Sequence, residues 1–141
     1  MTAGRTKQFT YVVDASVAIK WFSDEEGSID ARDFLRRHVE GKIQLTAPDL
    51  LLYEVGNALA RGKQLDAESI EDALSFILTS GIRLFSLVDD TMHLAVKMCD
   101  KYRLTFYDAA YASLAADLDV PLLSADSKSH QRIDEIRVKI L

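Results

Sequence analysis

The sequence has few of the features that mark secreted, membrane-spanning or broadly basic proteins. Its 141 residues include one cysteine, Cys99, so no disulfide can form within the chain and we expect a reducing compartment, the cytoplasm. No apolar run approaches the roughly 20 residues that a membrane-spanning helix needs, so we expect no membrane partner. The formal net charge of −5 argues against holding nucleic acid by a broad basic surface.

The composition is that of an ordinary soluble domain. Hydrophobic residues make up 48% of the chain and charged residues 28%, and the length suits one domain with a sizeable core. Residues 1–9 are polar and lack the apolar centre of a signal peptide, so we expect a flexible N-terminal tail before a single domain over residues 10–141. The three histidines and the lone cysteine have no zinc-ligand spacing, which argues against a soft-metal site.

The stretch from Thr10 to Trp21 predicts a strand followed directly by a helix. The run Tyr11–Val13 is apolar and β-branched, as in buried parallel strands, and Asp14 follows it at once. Ser16 is the predicted N-cap of a helix that begins at Val17. Ligands of open α/β sheets bind beyond the carboxyl ends of the strands, so Asp14 is a candidate site residue.

The rest of the chain alternates between strand and helix patterns. Further strands are predicted at Ile43–Ala47, Ile82–Val88, Pro121–Ala125 and Arg137–Leu141. Helices are predicted over Ser28–Glu40, with Ser28 as the cap, and over Pro48–Gly62. Two more helices begin at an Asp66 cap and end before Gly81, and begin at an Asp89 or Asp90 cap and end at about Tyr102. A further helix begins at a Thr105 cap, and a short one is predicted near Ser127–Ile133. This alternation predicts an α/β protein of three layers, with helices on both faces of a mostly parallel sheet.

Four acidic residues occupy element boundaries or packed helices. Asp14 and Asp126 each follow a predicted strand, and Asp108 lies in the first turn of a helix. Glu54 lies inside the helix that opens at Pro48, where Leu51, Val55 and Leu59 form an apolar stripe. Glu54 borders that stripe, so its carboxylate is expected near the buried face.

Each of these acids also has a structural interpretation. Asp108 could complete a cap with Thr105, in the pattern Thr-x-x-Asp. Asp14 and Asp126 could themselves be helix N-caps, and Glu54 could be a solvated helix residue. Together they would form a carboxylate cluster that needs a counter-charge. Oxygen ligands select Mg²⁺ or Mn²⁺, and either ion can activate a water for phosphodiester hydrolysis.

Four segments, in this order, resemble the PIN domain family, and in particular the toxins of VapBC toxin–antitoxin systems. They are Val-Val-Asp-Ala-Ser (12–16), Pro-Asp-Leu-Leu-Leu-Tyr-Glu-Val-Gly-Asn-Ala-Leu (48–59), Thr-Phe-Tyr-Asp-Ala-Ala-Tyr-Ala-Ser-Leu-Ala (105–115) and Leu-Leu-Ser-Ala-Asp (122–126). The resemblance implies a PIN-like α/β/α fold and a Mg²⁺- or Mn²⁺-dependent endoribonuclease that cuts RNA and has a cognate antitoxin. It also implies a homodimer, for which the helices between Pro48 and Ser80 could supply the interface.

The resemblance also assigns site residues. Catalytic and metal-binding roles fall on Asp14, Glu54, Asp108 and Asp126, with Asp117 or Asp119 as substitutes for Asp126. Supporting roles fall on Ser16, Asn57 and Ser124.

Two other functions are open at this stage. One is a PIN-like protein-interaction module with weak or no nuclease activity. The other is a phosphatase or response-regulator-like domain, for which the acidic pair is missing because position 16 is Ser, and Lys128 is only a loose match to the late lysine. The basic run of Arg32, Arg36 and Arg37 could contact RNA phosphate or an acidic partner, or could be a solvated face.

Overall fold

The computed structural model describes residues 9–130 and 133–141. The predicted tail lies outside these ranges except for Phe9, which begins the first strand, and residues 131–132 of the last predicted helix also lie outside them. The strands are β1 (Phe9–Val13), β2 (Ile43–Pro48), β3 (Arg83–Phe85), β4 (Leu122–Ser124) and β5 (Val138–Ile140). They form one sheet in the order β3-β2-β1-β4-β5, and every neighbouring pair is parallel.

Helices connect the strands as the alternation predicted. They are α1 (Ala15–Ala18), α2 (Ser28–Val39), α3 (Leu50–Asn57), α4 (Ala67–Thr79), α5 (Asp89–Tyr102), α6 (Phe106–Leu118) and α7 (Ser127–His130). A 3₁₀ turn over Ile19–Phe22 follows α1, and a π-helical turn over Ala58–Gly62 extends α3. The chain runs from β1 through β2 to β3 at one edge and then returns across the sheet to β4 and β5. With right-handed crossovers, this reversal places α1–α4 on one face of the sheet and α5–α6 on the other. The predicted α/β architecture is confirmed.

The core lies on both sides of the central strands. Val12 and Val13 of β1 and Leu122 and Leu123 of β4 are fully buried, as the continuous apolar runs of a covered parallel sheet require. The predicted stripe on α3 is also confirmed, because its three members have no exposed surface: Leu51, Val55 and Leu59. Burying one such side chain stabilises the fold by about 1.5–3 kcal/mol.

The second layer of helices relies on small side chains. Helix α6 is rich in alanine, and Ala109 and Ala112 are fully buried where α6 meets Ala95 and Met98 of α5. Short side chains let the two helix backbones approach closely, which fixes α6 against the sheet. Among the described residues, no helix has the length and apolar character needed to cross a membrane.

Several predicted helix starts are wrong by one or two residues. Asp14, not Ser16, is the N-cap of α1: its backbone is extended and its carboxylate accepts the Val17 N–H at 3.3 Å. Gly27 precedes α2 with φ of 88°, a left-handed conformation, and Ser28 is already the first helical residue. The Ser28 hydroxyl is occupied by the loop before it, since it donates to the Ser23 carbonyl oxygen.

Three further boundaries differ from the prediction. Pro48 is the last residue of β2 rather than the first turn of α3, because it still pairs in register with Phe85. Val88 is the N-cap of α5, so neither Asp89 nor Asp90 takes that position. Strand β3 is shorter than predicted, as it ends at Phe85.

Two predicted caps are confirmed. The carboxylate of Asp66 accepts the Ser69 N–H at 2.8 Å at the start of α4. The hydroxyl of Thr105 accepts the Asp108 N–H at 3.0 Å at the start of α6. Each pairs a backbone N–H that the first helical turn would leave without a partner.

Candidate active site at the sheet edge

The direction of the chain connections reverses between β1 and β4, and this reversal defines the site. The two strands are parallel neighbours, with Val13 opposite Leu123, so their carboxyl ends lie side by side. In open α/β sheets such a switch point leaves a crevice where ligands bind. Asp14 stands at this point: it is 3% exposed, and its N–H donates to the Leu123 carbonyl oxygen at 3.1 Å.

A single hydroxyl joins the ends of the two strands. Ser16 Oγ donates to Asp14 Oδ1 at 2.5 Å and accepts the Ala125 N–H at 2.8 Å. Ser124, fully buried at the end of β4, has its Oγ 3.5 Å from Ser16 Oγ. Ser16 therefore holds the Asp14 carboxylate at the edge, and Ser124 contacts the Ser16 hydroxyl from β4.

Asp126 lies at the same edge, two residues beyond β4. Its N–H donates to Ser124 Oγ at 2.9 Å, which ties it to the hydroxyl pair. Its Oδ1 accepts the Lys128 N–H at 3.0 Å at the start of α7. The interpretation of Asp126 as a helix N-cap therefore holds for one of its carboxylate oxygens, and Asp126 is only partly buried.

Glu54 reaches the site from the opposite layer through Tyr111. The Tyr111 hydroxyl, on α6, donates to Glu54 Oε1 at 2.7 Å. The pKa of Tyr111 is raised far above its usual range, first by burial, then by its hydrogen bond to Glu54, and then by the negative charges of Glu54, Asp14 and Asp108. Three of the four predicted acids therefore act electrostatically on one buried hydroxyl.

Asp108 lies in the first turn of α6 and is partly buried. Its contribution to the helix cap is made by its backbone N–H, which any residue except proline would supply at this position. After burial, the Asp108 charge is the second cause that raises the pKa of the Cys99 thiol. Asn57, one turn after Glu54, ends α3 as an exposed residue.

The alternative acids have other surroundings. Asp117, near the end of α6, accepts a hydrogen bond from the buried Thr91 hydroxyl of α5 at 2.5 Å. Asp119 occupies a left-handed turn with φ of 54° and faces Arg137 at 3.7 Å. Neither interaction involves the β1–β4 edge, which favours Asp126 as the fourth acid.

The predicted basic run on α2 is engaged in local ion pairs. Arg36 pairs with Asp33 of the same helix at 2.5 Å and with Glu40, the residue that caps the end of α2, at 3.0 Å. Arg32 donates to the Ser23 carbonyl oxygen and to Asp24. These contacts favour the interpretation as a solvated face.

The chemistry of the donor set suits a hard divalent cation. Asp14, Glu54, Asp108 and Asp126 offer only carboxylate oxygens, the ligands that Mg²⁺ and Mn²⁺ prefer. The three charges acting on Tyr111 supply the negative potential that would attract such an ion. Within residues 9–130 and 133–141, however, no three His, Cys, Asp or Glu side chains are close enough to form a metal-binding group. The four carboxylates match a cation in chemistry, while their spacing here is wider than direct ligation by three of them requires.

Tyr111 was missed by sequence reasoning. It lies three residues after Asp108, a spacing that places both side chains on one face of α6. In an alanine-rich helix a tyrosine is readily interpreted as core, and its ring is indeed 1% exposed. The spacing from an acidic residue was the available signal.

Comparison with known proteins identifies the family of the chain. The PIN domain profile matches residues 11–136. Ribonuclease VapC1 of Mycobacterium tuberculosis is 34% identical over 125 residues, an alignment that covers 83% of this chain and 86% of the relative.

Solved structures share the fold at lower identity. A VapBC2 structure from Rickettsia felis, bound to a promoter DNA fragment, matches with a TM-score of 0.74 and 12% identity over 94% of this chain and 99% of that one. Mycobacterium tuberculosis VapC20, described as a sarcin–ricin loop cleaving toxin, matches with a TM-score of 0.69 and 16% identity over 90% of this chain and 98% of that one.

The fold and the acidic edge define a parallel α/β protein with a switch-point site. The match to the PIN domain profile and the identity to Ribonuclease VapC1 show the family. The chain belongs to the PIN domain family, in the group that includes the VapC proteins.

Proposed function

We propose that this protein is a Mg²⁺- or Mn²⁺-dependent endoribonuclease and the toxin of a type II toxin–antitoxin system. The observation that carries the proposal is the buried Asp14 at the β1–β4 switch point, held by Ser16, together with the charges of Glu54 and Asp108 that act with it on the Tyr111 hydroxyl. The 34% identity to Ribonuclease VapC1 supports RNA as the substrate.

The contacts suggest a role for each residue of the candidate site. Asp14, Glu54, Asp108 and Asp126 would hold the cation partly through its waters, because their spacing is too wide for direct ligation by three of them. When bound, the cation would lower the pKa of a water and offset phosphate charge. Ser16 orients the Asp14 carboxylate through its 2.5 Å hydrogen bond. Tyr111 fixes the rotation of the Glu54 carboxylate by binding one of its oxygens. Both are positioning residues.

The proposal extends to partners and location. An antitoxin partner is supported by the structural neighbours, which include VapBC complexes from Rickettsia felis and Salmonella typhimurium. We place the protein in the cytoplasm because its lone cysteine fits a reducing compartment. We also assign residues 10–141 to a single domain, which their length suits.

A homodimer is part of the same proposal. A groove of about 380 Å³ runs beside the start of α3, the end of β3 and the length of α6. Its apolar wall is exposed, with Val88 60%, Tyr107 58% and Phe106 41% accessible. Exposed apolar surface of this kind marks an interface, and two-fold dimers are the commonest oligomers. Helix α3 takes part in this groove only by its first turn. The predicted contact on the helices between Pro48 and Ser80 stays a second proposal, because Tyr53 on α3 and Leu78 on α4 are 73% and 61% exposed.

The test is RNA cleavage with and without metal. Asp14→Asn keeps the oxygen that caps α1 and receives the Ser16 hydroxyl, so we expect it to fold. The wild type should cut single-stranded RNA with Mn²⁺ and not in EDTA, and Asp14→Asn should lose the activity. The matched control is Asp100→Asn, which removes one exposed charge from α5 and should cut like the wild type.

Two results would overturn the proposal. Full cleavage in EDTA would indicate a metal-free nuclease. A folded wild-type protein that binds an antitoxin but cuts no RNA with either metal would favour the interaction module.

A further inference from the structure

A second cleft, of about 350 Å³, opens beside the candidate active site. The partly buried Asp108 belongs to its wall, so the cleft and the acidic edge are adjoining. The turn between α5 and α6 and the start of α7 form the other walls. The cleft is also lined by Tyr102, Arg103, Leu104, Lys128 and Ile133.

Two cations line this cleft. Arg103 ends α5 in a left-handed conformation, with φ of 58°, and is exposed. Lys128 is held in the first turn of α7, because its N–H donates to Asp126 Oδ1 at 3.0 Å. In the described part of the chain neither cationic side chain forms an ion pair, in contrast to Arg36, which has two carboxylate partners. These two positive charges outnumber Asp108, the one carboxylate that the described residues place in the wall of the cleft, so the cleft favours an anionic ligand.

Apart from Thr105 and Asp108, the rest of the cleft is aromatic and apolar. The Tyr102 hydroxyl accepts the Asp134 N–H at 3.0 Å and donates to the Glu135 carboxylate, so the ring is held from its polar end. Leu104 and the 4% exposed Ile133 supply the apolar surface. A fixed aromatic face next to cations is how proteins bind single-stranded nucleic acid, by base stacking and phosphate contact.

We propose that this cleft binds one nucleotide of a single-stranded RNA, next to the phosphodiester that is cut. Arg103 and Lys128 bind the backbone phosphate, and the base lies against Tyr102. The inference rests on the proposed function, and it adds a subsite to it. The volume lies at the lower end of ligand pockets, roughly 300–1,000 Å³, which suits a single nucleotide rather than a duplex. An acidic peptide could use the same cations, but it would leave the aromatic wall unused.

The experiment measures RNA binding apart from cleavage. A fluorescent, short single-stranded RNA is titrated with the full chain in EDTA at low salt, and anisotropy gives Kd. Arg103→Gln and Lys128→Gln should each weaken binding about three- to tenfold and reduce the slope of log K against log salt by about 0.7, the value for one lost single-strand phosphate contact. Lys97→Gln, an exposed cation on α5 outside the cleft, should change neither.

Stacking is tested with RNA that carries 2-aminopurine. Its fluorescence should fall when the wild type binds, and the quenching should persist in Tyr102→Phe, which keeps the ring, but not in Tyr102→Leu. Thermal melts identify a variant that fails to fold. Of the two variants, Tyr102→Phe is the decisive one. If it is folded and the quenching is lost, the proposal that the base stacks on the ring is overturned.

The outcomes separate the subsite from the proposed function. Binding that depends on Arg103 and Lys128, in a protein that never cuts RNA, would support the subsite and overturn the nuclease. Metal-dependent cleavage together with Arg103→Gln and Lys128→Gln variants that bind like Lys97→Gln would overturn the subsite alone. No binding by the wild type in EDTA, or displacement of RNA by a polyglutamate peptide at equal concentration, would also overturn it.

Discussion

The hydroxyl of Tyr111 donates a 2.7 Å hydrogen bond to Oε1 of Glu54, and this contact joins α6 to α3 across the candidate site. The two residues are 57 positions apart in the chain. Tyr111 is buried in the core, whereas Glu54 is only partly covered. The hydrogen bond from the buried Tyr111 therefore restrains the side chain of the partly exposed Glu54.

Tyr111→Phe should keep the ring packing and lose this contact. A hydrogen bond to a charged group contributes about 1.5–3 kcal/mol, so we expect a loss of that order in the free energy of unfolding, measured by urea titration. Affinity for Mn²⁺, measured by calorimetry, should fall because Glu54 is no longer held. Tyr107→Phe, exposed on the same helix, is the control and should change neither quantity. Unchanged stability in Tyr111→Phe would show that the hydrogen bond has no energetic weight.

Ser16→Ala should weaken both the edge and the activity. It removes the donor to Asp14 Oδ1 and leaves the Ala125 N–H without its acceptor. An unpaired buried donor costs about 1–3 kcal/mol, which denaturant unfolding can resolve. RNA cleavage should fall further than stability explains, because Asp14 loses its orientation. Ser75→Ala, on the exposed side of α4, is the matched control. A Ser16→Ala enzyme with wild-type turnover would refute the positioning role.

Asp108→Asn tests whether Asp108 acts at the site or in the helix cap. The cap uses the Asp108 backbone N–H, which asparagine retains, so the cap contributes equally in both proteins. If the carboxylate binds metal, the rise in Tm on adding Mn²⁺ should shrink, since a cation stabilises by RT ln(1 + [L]/Kd). Cleavage should be lost as well. Thr105→Ala should instead lower the free energy of unfolding by about 1 kcal/mol, and with it the Tm. The rise in Tm on adding Mn²⁺ should be the same as in the wild type. An undiminished Mn²⁺ response in Asp108→Asn would exclude Asp108 as a ligand.

Glu25 should make part of the stability depend on pH. The Lys63 ammonium, then Ser23 and Lys20, lower the pKa of Glu25 from 4.5 to about 2. A carboxyl with a lower pKa in the folded state contributes stability above its unfolded pKa and loses it as pH falls through the folded pKa. The contribution is therefore complete above about pH 4.5 and disappears towards pH 2.

The measurement compares Glu25→Gln with the wild type by denaturant unfolding across that range. The side chain is 32% exposed, so solvent screening limits the effect at neutral pH to about 1 kcal/mol. The difference should close as the pH approaches 2. Glu26→Gln, at the neighbouring exposed position, is the control. A difference that is constant with pH would assign the effect to packing.

The order of elements was predictable from the sequence, and the reason is physical. Buried parallel strands need continuous apolar runs, such as Tyr11–Val13, and covering helices need apolar stripes, such as Leu51, Val55 and Leu59. Both patterns are local in the chain. The acids at the strand ends were predictable for the same reason, since a strand end is a local feature.

Cap positions and cross-sheet contacts were not predictable in this way. Asp14 and Ser16 are both good N-cap residues, and the choice depends on the backbone angles and on Ala125, which binds Ser16 from the far end of the chain. The role of Tyr111 likewise depends on Glu54 of another helix. Such contacts are set by tertiary packing, which no window of sequence contains.

The hydrogen bond between Ser16 and Ala125 closes the edge across a separation of 109 residues. Contacts between segments so distant in the chain form late in folding, because the entropy of closing a long loop opposes them. During synthesis from the amino terminus, β1 cannot pair with β4 until the last part of the chain has left the ribosome. A nascent chain thus contains Asp14, Glu54 and Asp108 before it has β4, the strand that carries Asp126 to the same edge as Asp14. The proposed cutting activity would first arise when translation of the protein is almost finished.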